Sequence, residues 1–232
     1  MSLVKSSGNM YTWITHTWNP LGGECMHGCE YCYVKRSPRL ARLEKYEGPT
    51  RLIEKEFINL DRDKTIFVCS CTDLFGWWVN ARYIHCIIEH CNKYPENTYF
   101  FQTKNPARLR NWLFRLPPKI ILGITLESNR DYHVSKAPCQ EERVAAFSEY
   151  SEDFKSMVSI EPIMDFDLDK FVLILEYINP SFVSIGADSK KCNLPEPSGE
   201  KIKELIEALK QFTRVYIKPN LNRLLRSSNA QE

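Results

Sequence analysis

Gly123-Ile124-Thr125-Leu126-Glu127 is the stretch on which the fold turns. Successive side chains of a strand point to opposite faces, so Gly123, Thr125 and Glu127 share one face while Ile124 and Leu126 share the other. The pattern recurs elsewhere. Ser159 and Glu161 oppose Val158 and Ile160, and Ser184, Gly186 and Asp188 oppose Val183 and Ile185. Gln102 and Lys104 sit between Phe101 and Thr103, and Tyr216 and Lys218 alternate with Val215 and Ile217. One face is apolar and the other ends polar. In an open doubly wound sheet helices cover both faces, and both should read apolar. A full or partial (β/α) barrel packs only its outer face on helices, and inner residues near the C-terminal strand ends line a functional mouth. Any one of Gln102, Lys104, Glu127, Glu161, Asp188 and Lys218 is equally readable as a loop residue just past its strand. Their repetition over five strands favours the barrel. The expected class is α/β, a full or partial (β/α) barrel of parallel strands.

Working outward, runs rich in β-branched and aromatic residues predict strands at Tyr11–Trp18, Ile66–Cys71, Tyr99–Thr103, Ile120–Glu127, Met157–Glu161, Phe182–Gly186 and Val215–Lys218. Helical spacing lies between most of them, at Ala81–Cys91, Asp169–Ile178 and Gly199–Leu209. Strand, helix, strand in succession implies parallel pairing. The 232 residues fit one domain, 1–232, with a frayed tail from Ser227 to Glu232. With 43% hydrophobic and 26% charged residues the chain can bury a core, which excludes disordered and fibrous classes. No apolar run approaches the ~18 residues of a membrane span, and Met1–Met10 lacks a secretory h-region, so the expectation is a cytoplasmic protein with no membrane partner.

Net charge is +2, far from the strongly basic balance of a general polyanion binder. Nine cysteines, an odd number, do not suit a secreted disulfide framework. Their spacing carries the information. Cys25-Met-His-Gly-Cys29-Glu-Tyr-Cys32-Tyr33 reads CxxxCxxC, with an aromatic, Tyr31, before the third cysteine. Three thiolates on one short loop can hold three irons of a [4Fe-4S] cube and leave the fourth open to a small molecule. Zinc is the rival, and a closed zinc site takes four ligands, for which His27, Cys69 and Cys71 are the candidates. Cys86 and Cys91 fall on a helical face and suit the core.

The triplet, its Tyr31 and its place after the first strand closely resemble the radical SAM superfamily. Cys71-Thr72-Asp73, Thr103-Lys104 and Ser159-Ile-Glu161 resemble spore photoproduct lyase-like proteins, and Trp18-Asn19-Pro20 resembles a related phage-associated radical SAM family. That resemblance implies that Cys25, Cys29 and Cys32 ligate a [4Fe-4S] cluster whose fourth iron binds S-adenosylmethionine (SAM). One electron then cleaves SAM to methionine and a 5′-deoxyadenosyl radical that abstracts hydrogen from a substrate, with the electron supplied by a donor such as a flavodoxin or ferredoxin. It further implies Tyr31 beside the adenine, and Thr72 and Asp73 in the place where a Gly-Gly-Glu usually holds the SAM amino group. Glu127 with Ser128 would accept from the ribose hydroxyls, and Lys104 or Arg130 would meet the carboxylate. Glu161 and Lys218, with Asp188, would face substrate, and Cys71 would donate hydrogen to a product radical.

Lys35, Arg39 and Arg42 are expected on one helical face after the cysteines, followed by Lys45, with Arg108, Arg110 and Arg115 as a second group. Such groups either meet a nucleic-acid backbone or are solvated faces. Trp77-Trp78 either stacks on bases or packs. Two functions follow: a radical SAM enzyme with an unassigned substrate, nucleic acid among the classes, and a non-catalytic zinc- or Fe-S-binding module for nucleic acid.

Overall fold

The computed structural model describes residues 3–227. Its sheet has eight strands in the order β1-β2-β5-β6-β7-β8-β9-β10. These are β1 (Val4–Lys5), β2 (His16–Trp18), β5 (Thr65–Val68), β6 (Thr98–Thr103), β7 (Ile120–Thr125), β8 (Ser156–Ile160), β9 (Phe182–Ile185) and β10 (Arg214–Ile217). A separate antiparallel pair joins β3 (Leu21–Gly22) to β4 (Arg51–Leu52). Within the eight-stranded sheet every pairing from β2 to β10 is parallel, and only β1 runs against its neighbour. Among the described residues β1 and β10 do not pair, so the barrel is partial rather than full.

Helices α1 (Tyr33–Arg36), α2 (Ala81–Asn92), α3 (Pro106–Arg110), α4 (Gln140–Ser148), α5 (Leu168–Ile178) and α6 (Gly199–Leu209) lie between the strands, and α7 (Asn222–Ser227) follows β10. Their local signals are legible. Asn80 caps α2 by accepting from Arg82 N–H at 2.8 Å, and Ser198 caps α6 from Lys201 N–H at 3.3 Å. Asn179 ends α5 in the left-handed region, and Pro180 follows. The main core lies between the outer sheet face and these helices: Ile66, Tyr99, Leu122, Val158 and Val183 meet Ile84, Ile88, Phe147, Leu175 and Leu205.

The inner face carries a second cluster of Phe67, Phe100, Ile121, Met157 and Phe182, closed by Tyr11 and Ile14 with Met10 and Trp13 beside them. The first predicted strand is shortened by this. Tyr11 turns inward instead of pairing, Ile14 N–H closes a turn onto Tyr11 O at 3.0 Å, and only His16–Trp18 joins the sheet. Above that floor the inner face becomes polar, with Gln102, Thr125, Ser159 and Ser184. The Tyr11 hydroxyl donates to Gln102 Oε1 at 2.9 Å or to Ser159 Oγ at 2.8 Å, joining floor to polar layer.

The helical face expected for Lys35, Arg39 and Arg42 does not form. α1 stops at Arg36, because Pro38 disfavours helix at Ser37, which is extended (φ −85°, ψ 119°). Of the expected tail, Ser227 closes α7 and residues 228–232 lie outside the described residues. No described helix is long and apolar enough to cross a membrane.

Candidate active site at the barrel mouth

Ladder bonds continue past the strand ends and set the next residues in place. Cys69 N–H donates to Trp18 O at 2.8 Å, Leu126 N–H to Ser159 O at 2.9 Å, Gly186 N–H to Ile160 O at 3.0 Å and Lys218 N–H to Ile185 O at 2.9 Å. Lys104, Glu127, Glu161, Asp188 and Lys218 lie just past the ends of their strands, and of these Lys218 is itself held by such a bond. A cavity of about 410 Å³ opens at these ends, a size typical of small-molecule sites. Cys25, Cys29, Cys32, Tyr31, Cys71, Thr72, Asp73, Lys104, Glu161 and Lys218 all border it. A second depression, of about 530 Å³, lies at the opposite ends of β8 to β10 and is bordered by none of them.

The cysteine loop is folded by its own chain. Gly28 sits at φ +60°, a conformation costly for other residues, and brings Cys25 and Cys29 to one wall. Glu30 N–H donates to Val134 O at 2.9 Å and Lys136 N–H to His27 O at 2.7 Å, tying the loop to residues 134–136. Burial pushes the Cys25 thiol up to about 12 and raises Cys29, on which the Lys104 charge acts in the opposite sense. Among the described residues no three His, Cys, Asp or Glu side chains converge on one point as a single ion requires. A [4Fe-4S] cube needs instead one thiolate at each of three corners, and three thiols on one cavity wall fit that donor set.

Beside the loop lies a buried charge network. Lys104 Nζ and Tyr31 OH both bond to Glu127 Oε1, and Arg143 Nη1 donates to Glu127 Oε2 at 2.8 Å. Lys104 Nζ also donates to the Tyr31 hydroxyl at 2.8 Å. Burial would raise the Glu127 carboxyl, but the Lys104 and Arg143 charges outweigh it and bring it down to about 2. Burial, with Glu127 adding to it, raises the Tyr31 hydroxyl well above its ordinary value. Glu127 is 1% exposed and does not border the cavity; Lys104 does.

Two other expected ligand groups also lie off the cavity. Ser128 donates to Asp165 O at 2.6 Å, and Arg130 pairs with Asp165 and Asp167, with Nη2 at 2.6 Å from Asp167 Oδ1. Asp73 borders the cavity with both carboxylate oxygens engaged, by His27 Nε2 at 2.8 Å, Lys104 N–H at 2.8 Å, Phe75 N–H at 3.0 Å and the Thr103 hydroxyl at 2.8 and 3.0 Å. Thr72 is buried and bonds weakly to Gly23 O at 3.4 Å.

On the far wall Glu161 Oε2 pairs with Lys218 Nζ at 2.6 Å. Glu161 Oε1 accepts from Asn9 at 2.7 Å and Asn220 at 3.0 Å. Gly186 is needed there, since a Cβ would stand 2.6 Å from Glu161 Oε1. Asp188 borders the cavity but folds its own loop, accepting from Lys190 N–H at 2.9 Å and from Cys192 N–H. Cys71 is set by Asn19, whose Oδ1 accepts from Cys71 N–H at 3.2 Å and from the Ser70 hydroxyl at 3.1 Å. The Tyr33 hydroxyl lies 2.6 Å from Ser70 O and 3.4 Å from Cys71 Sγ.

The basic groups are dispersed. Lys35 pairs with Glu24 at 2.7 Å, Arg108 donates to the Gly76 and Val79 carbonyls, and Arg110 pairs with Glu149. Arg39 and Arg42 are exposed. Trp78 packs edge-on against His27 with centroids 4.9 Å apart, while Trp77 is 65% exposed.

A parallel partial barrel with a thiol-lined mouth at its C-terminal strand ends is the radical SAM type of fold, and solved structures of that type match it. The chain belongs to the family described as Protein of unknown function (DUF5131), which matches residues 9–176. It is similar to a spore photoproduct lyase variant with bound AdoMet and dinucleoside spore photoproduct, with TM-score 0.64 and 13% identity over 90% of this chain and 78% of that one. It is also similar to Streptococcus suis SuiB bound to precursor peptide SuiA, with TM-score 0.54 and 8% identity over 87% of this chain and 48% of that one. The chain thus spans about half the length of SuiB. Curated proteins return no match.

Arg143, Asn9 and Asn220 were not singled out in the sequence. Arg143 reaches Glu127 from a helix sixteen residues on, and no local spacing marks that contact. Asn19 belongs to Trp18-Asn19-Pro20, but its role as an acceptor for Cys71 depends on the close approach of two separate loops.

Proposed function

We propose that the chain is a radical SAM enzyme. Its observation of most weight is that Cys25, Cys29 and Cys32 border the same cavity as Lys104, Glu161, Lys218 and Cys71. When bound, a [4Fe-4S] cluster supplies SAM with the electron that cleaves it reductively to a 5′-deoxyadenosyl radical. Cys25, Cys29 and Cys32 hold the cluster. Lys104, its charge balanced by Glu127, binds the SAM carboxylate, and Tyr31 forms the adjacent wall. Thr72 offers a hydroxyl to the SAM amino group from the second strand's end. Glu127 acts through Tyr31 and Lys104, since both of its oxygens are engaged by them and by Arg143.

Glu161 and Lys218 face substrate as a preformed acceptor and donor on the wall opposite the cysteines. Cys71 gives its thiol hydrogen atom to a product radical and is left as a thiyl radical; the contacts with Asn19 and Tyr33 support this role. Nucleic acid is the substrate class we favour. Supporting it are the bound dinucleoside of the spore photoproduct lyase neighbour, the exposed Arg39 and Arg42 downstream of the cysteine loop, and Lys190 at the cavity edge.

Anaerobic reconstitution followed by iron, sulfide and zinc analysis tests the cluster. Four irons and four sulfides per chain are expected, and Ala at Cys25, Cys29 or Cys32 should abolish them. Stoichiometric zinc with no iron uptake would mean the non-catalytic binding module instead.

A further inference from the structure

The Glu161 carboxylate is engaged unevenly, and its neighbours leave a defined set of donors and acceptors at the cavity wall. Asn9 Nδ2 donates to Glu161 Oε1 at 2.7 Å, and Asn220 Nδ2 donates to the same oxygen at 3.0 Å. That oxygen is filled. Glu161 Oε2 accepts from Lys218 Nζ at 2.6 Å, and a carboxylate oxygen has a second lone pair to offer. Because Asn9 must present its nitrogen to the carboxylate, its amide oxygen is left to accept. Lys218 Nζ, with three N–H groups, bonds to Glu161 and lies 4.5 Å from the centroid of the Tyr11 ring, which Trp13 stacks upon. Asn9, Glu161 and Lys218 all border the mouth cavity, and Glu161 lies between the other two, bonded to each.

We propose that Lys218, Glu161 and Asn9 form a guanine-reading subsite for a base turned out of a nucleic-acid strand. The inference rests on the nucleic-acid substrate class favoured above. The ammonium and the carboxylate balance one another, so the wall suits a neutral group with donors and acceptors side by side rather than an anion or a cation. Enzymes that act on a base take it out of the stack and read its Watson–Crick edge. Guanine presents there one acceptor and two donors in a row, O6, N1–H and N2–H, which complement Lys218 Nζ, Glu161 Oε2 and Asn9 Oδ1. Thymine and uracil match the first two groups but set a carbonyl oxygen against the Asn9 amide oxygen. Adenine and cytosine reverse the first two, opposing a donor to the ammonium and an acceptor to the carboxylate.

The test is a fluorescence-anisotropy titration of the reconstituted full-length protein with deoxycytidine pentamers whose central base is guanine, hypoxanthine, thymine or adenine. Guanine should bind about ten- to a hundredfold more tightly than adenine, as hydrogen bonds to charged groups imply. Hypoxanthine, which lacks only the N2 amino group, should fall below guanine by about two- to tenfold, and thymine below hypoxanthine. Asn9→Ala should make guanine and hypoxanthine equal while keeping both above adenine. Glu161→Gln should bring guanine to within about twofold of adenine. Should Glu161→Gln fail to fold, the wild-type order and Asn9→Ala decide. Pentamers that bind within about twofold of one another, or an Asn9→Ala variant that still separates guanine from hypoxanthine, overturn the subsite alone. No binding of any pentamer overturns the nucleic-acid reading and the subsite with it. The expected order in a protein that takes up no iron supports the subsite and overturns the cluster reading.

Discussion

Glu127 holds three groups from three parts of the chain: Tyr31 of the cysteine loop, Lys104 past β6 and Arg143 of α4. Its partners' side chains are 13% exposed for Lys104 and 3% for Arg143, so removing the carboxylate strands two poorly solvated cations. Breaking such a buried pair costs about 3–5 kcal/mol. Glu127→Gln should lose that order of stability in urea denaturation and bind SAM about ten- to a hundredfold more weakly through a displaced Lys104. A loss below about 1 kcal/mol, as at an exposed pair, would contradict this. The pH dependence has a definite sign. A carboxyl lowered from 4.5 to about 2 contributes stability that is full above its unfolded value and is lost as pH falls through the folded one. Wild type without cluster should therefore lose on the order of 3 kcal/mol between about pH 4.5 and 2, a limb that Glu127→Gln lacks.

Among the elements, the strands from β5 to β10 were legible because alternation survives wherever one face packs on helices, as Ile124 and Leu126 against Thr125 do. The N-terminal element was not. Tyr11, Trp13 and Ile14 have strand composition, but they close the open floor of a partial barrel, a long-range role that no local pattern encodes. Tyr11 packs on Trp13, Phe67 and Phe100 with centroids 5.4 to 6.2 Å apart. Tyr11→Ala should thus destabilise by about 3–5 kcal/mol, as for large buried aromatics, and Tyr11→Phe by about 1–3 through the loss of the hydroxyl's bond to Gln102 or Ser159. Both are read from urea midpoints at unchanged slope. Near-wild-type midpoints would mean that this segment is not a structural floor. At the mouth the cysteines were legible from spacing. Ser128 and Arg130 follow Glu127 past the strand, where Asp165 and Asp167 engage them.

For the whole molecule, a balanced net charge confines any polyanion contact to a local patch. If Arg39, Arg42 and Lys190 guide a nucleic acid to the mouth, three to five phosphate contacts give a slope of about −2 to −5 for log affinity against log salt. Reversing Arg39 and Arg42 to Glu should flatten that slope at unchanged iron content. No binding to DNA or RNA in a low-salt fluorescence titration would redirect the search to peptides, the class of molecule bound in the SuiB structure. The central claim is that this mouth joins a cluster to SAM, and the measurement that meets it most directly is chromatography of the products formed from SAM by the reconstituted, chemically reduced protein. 5′-Deoxyadenosine and methionine are expected, formed slowly without substrate and absent from the Cys29→Ala variant. A fully loaded and reduced cluster that yields no 5′-deoxyadenosine would contradict it.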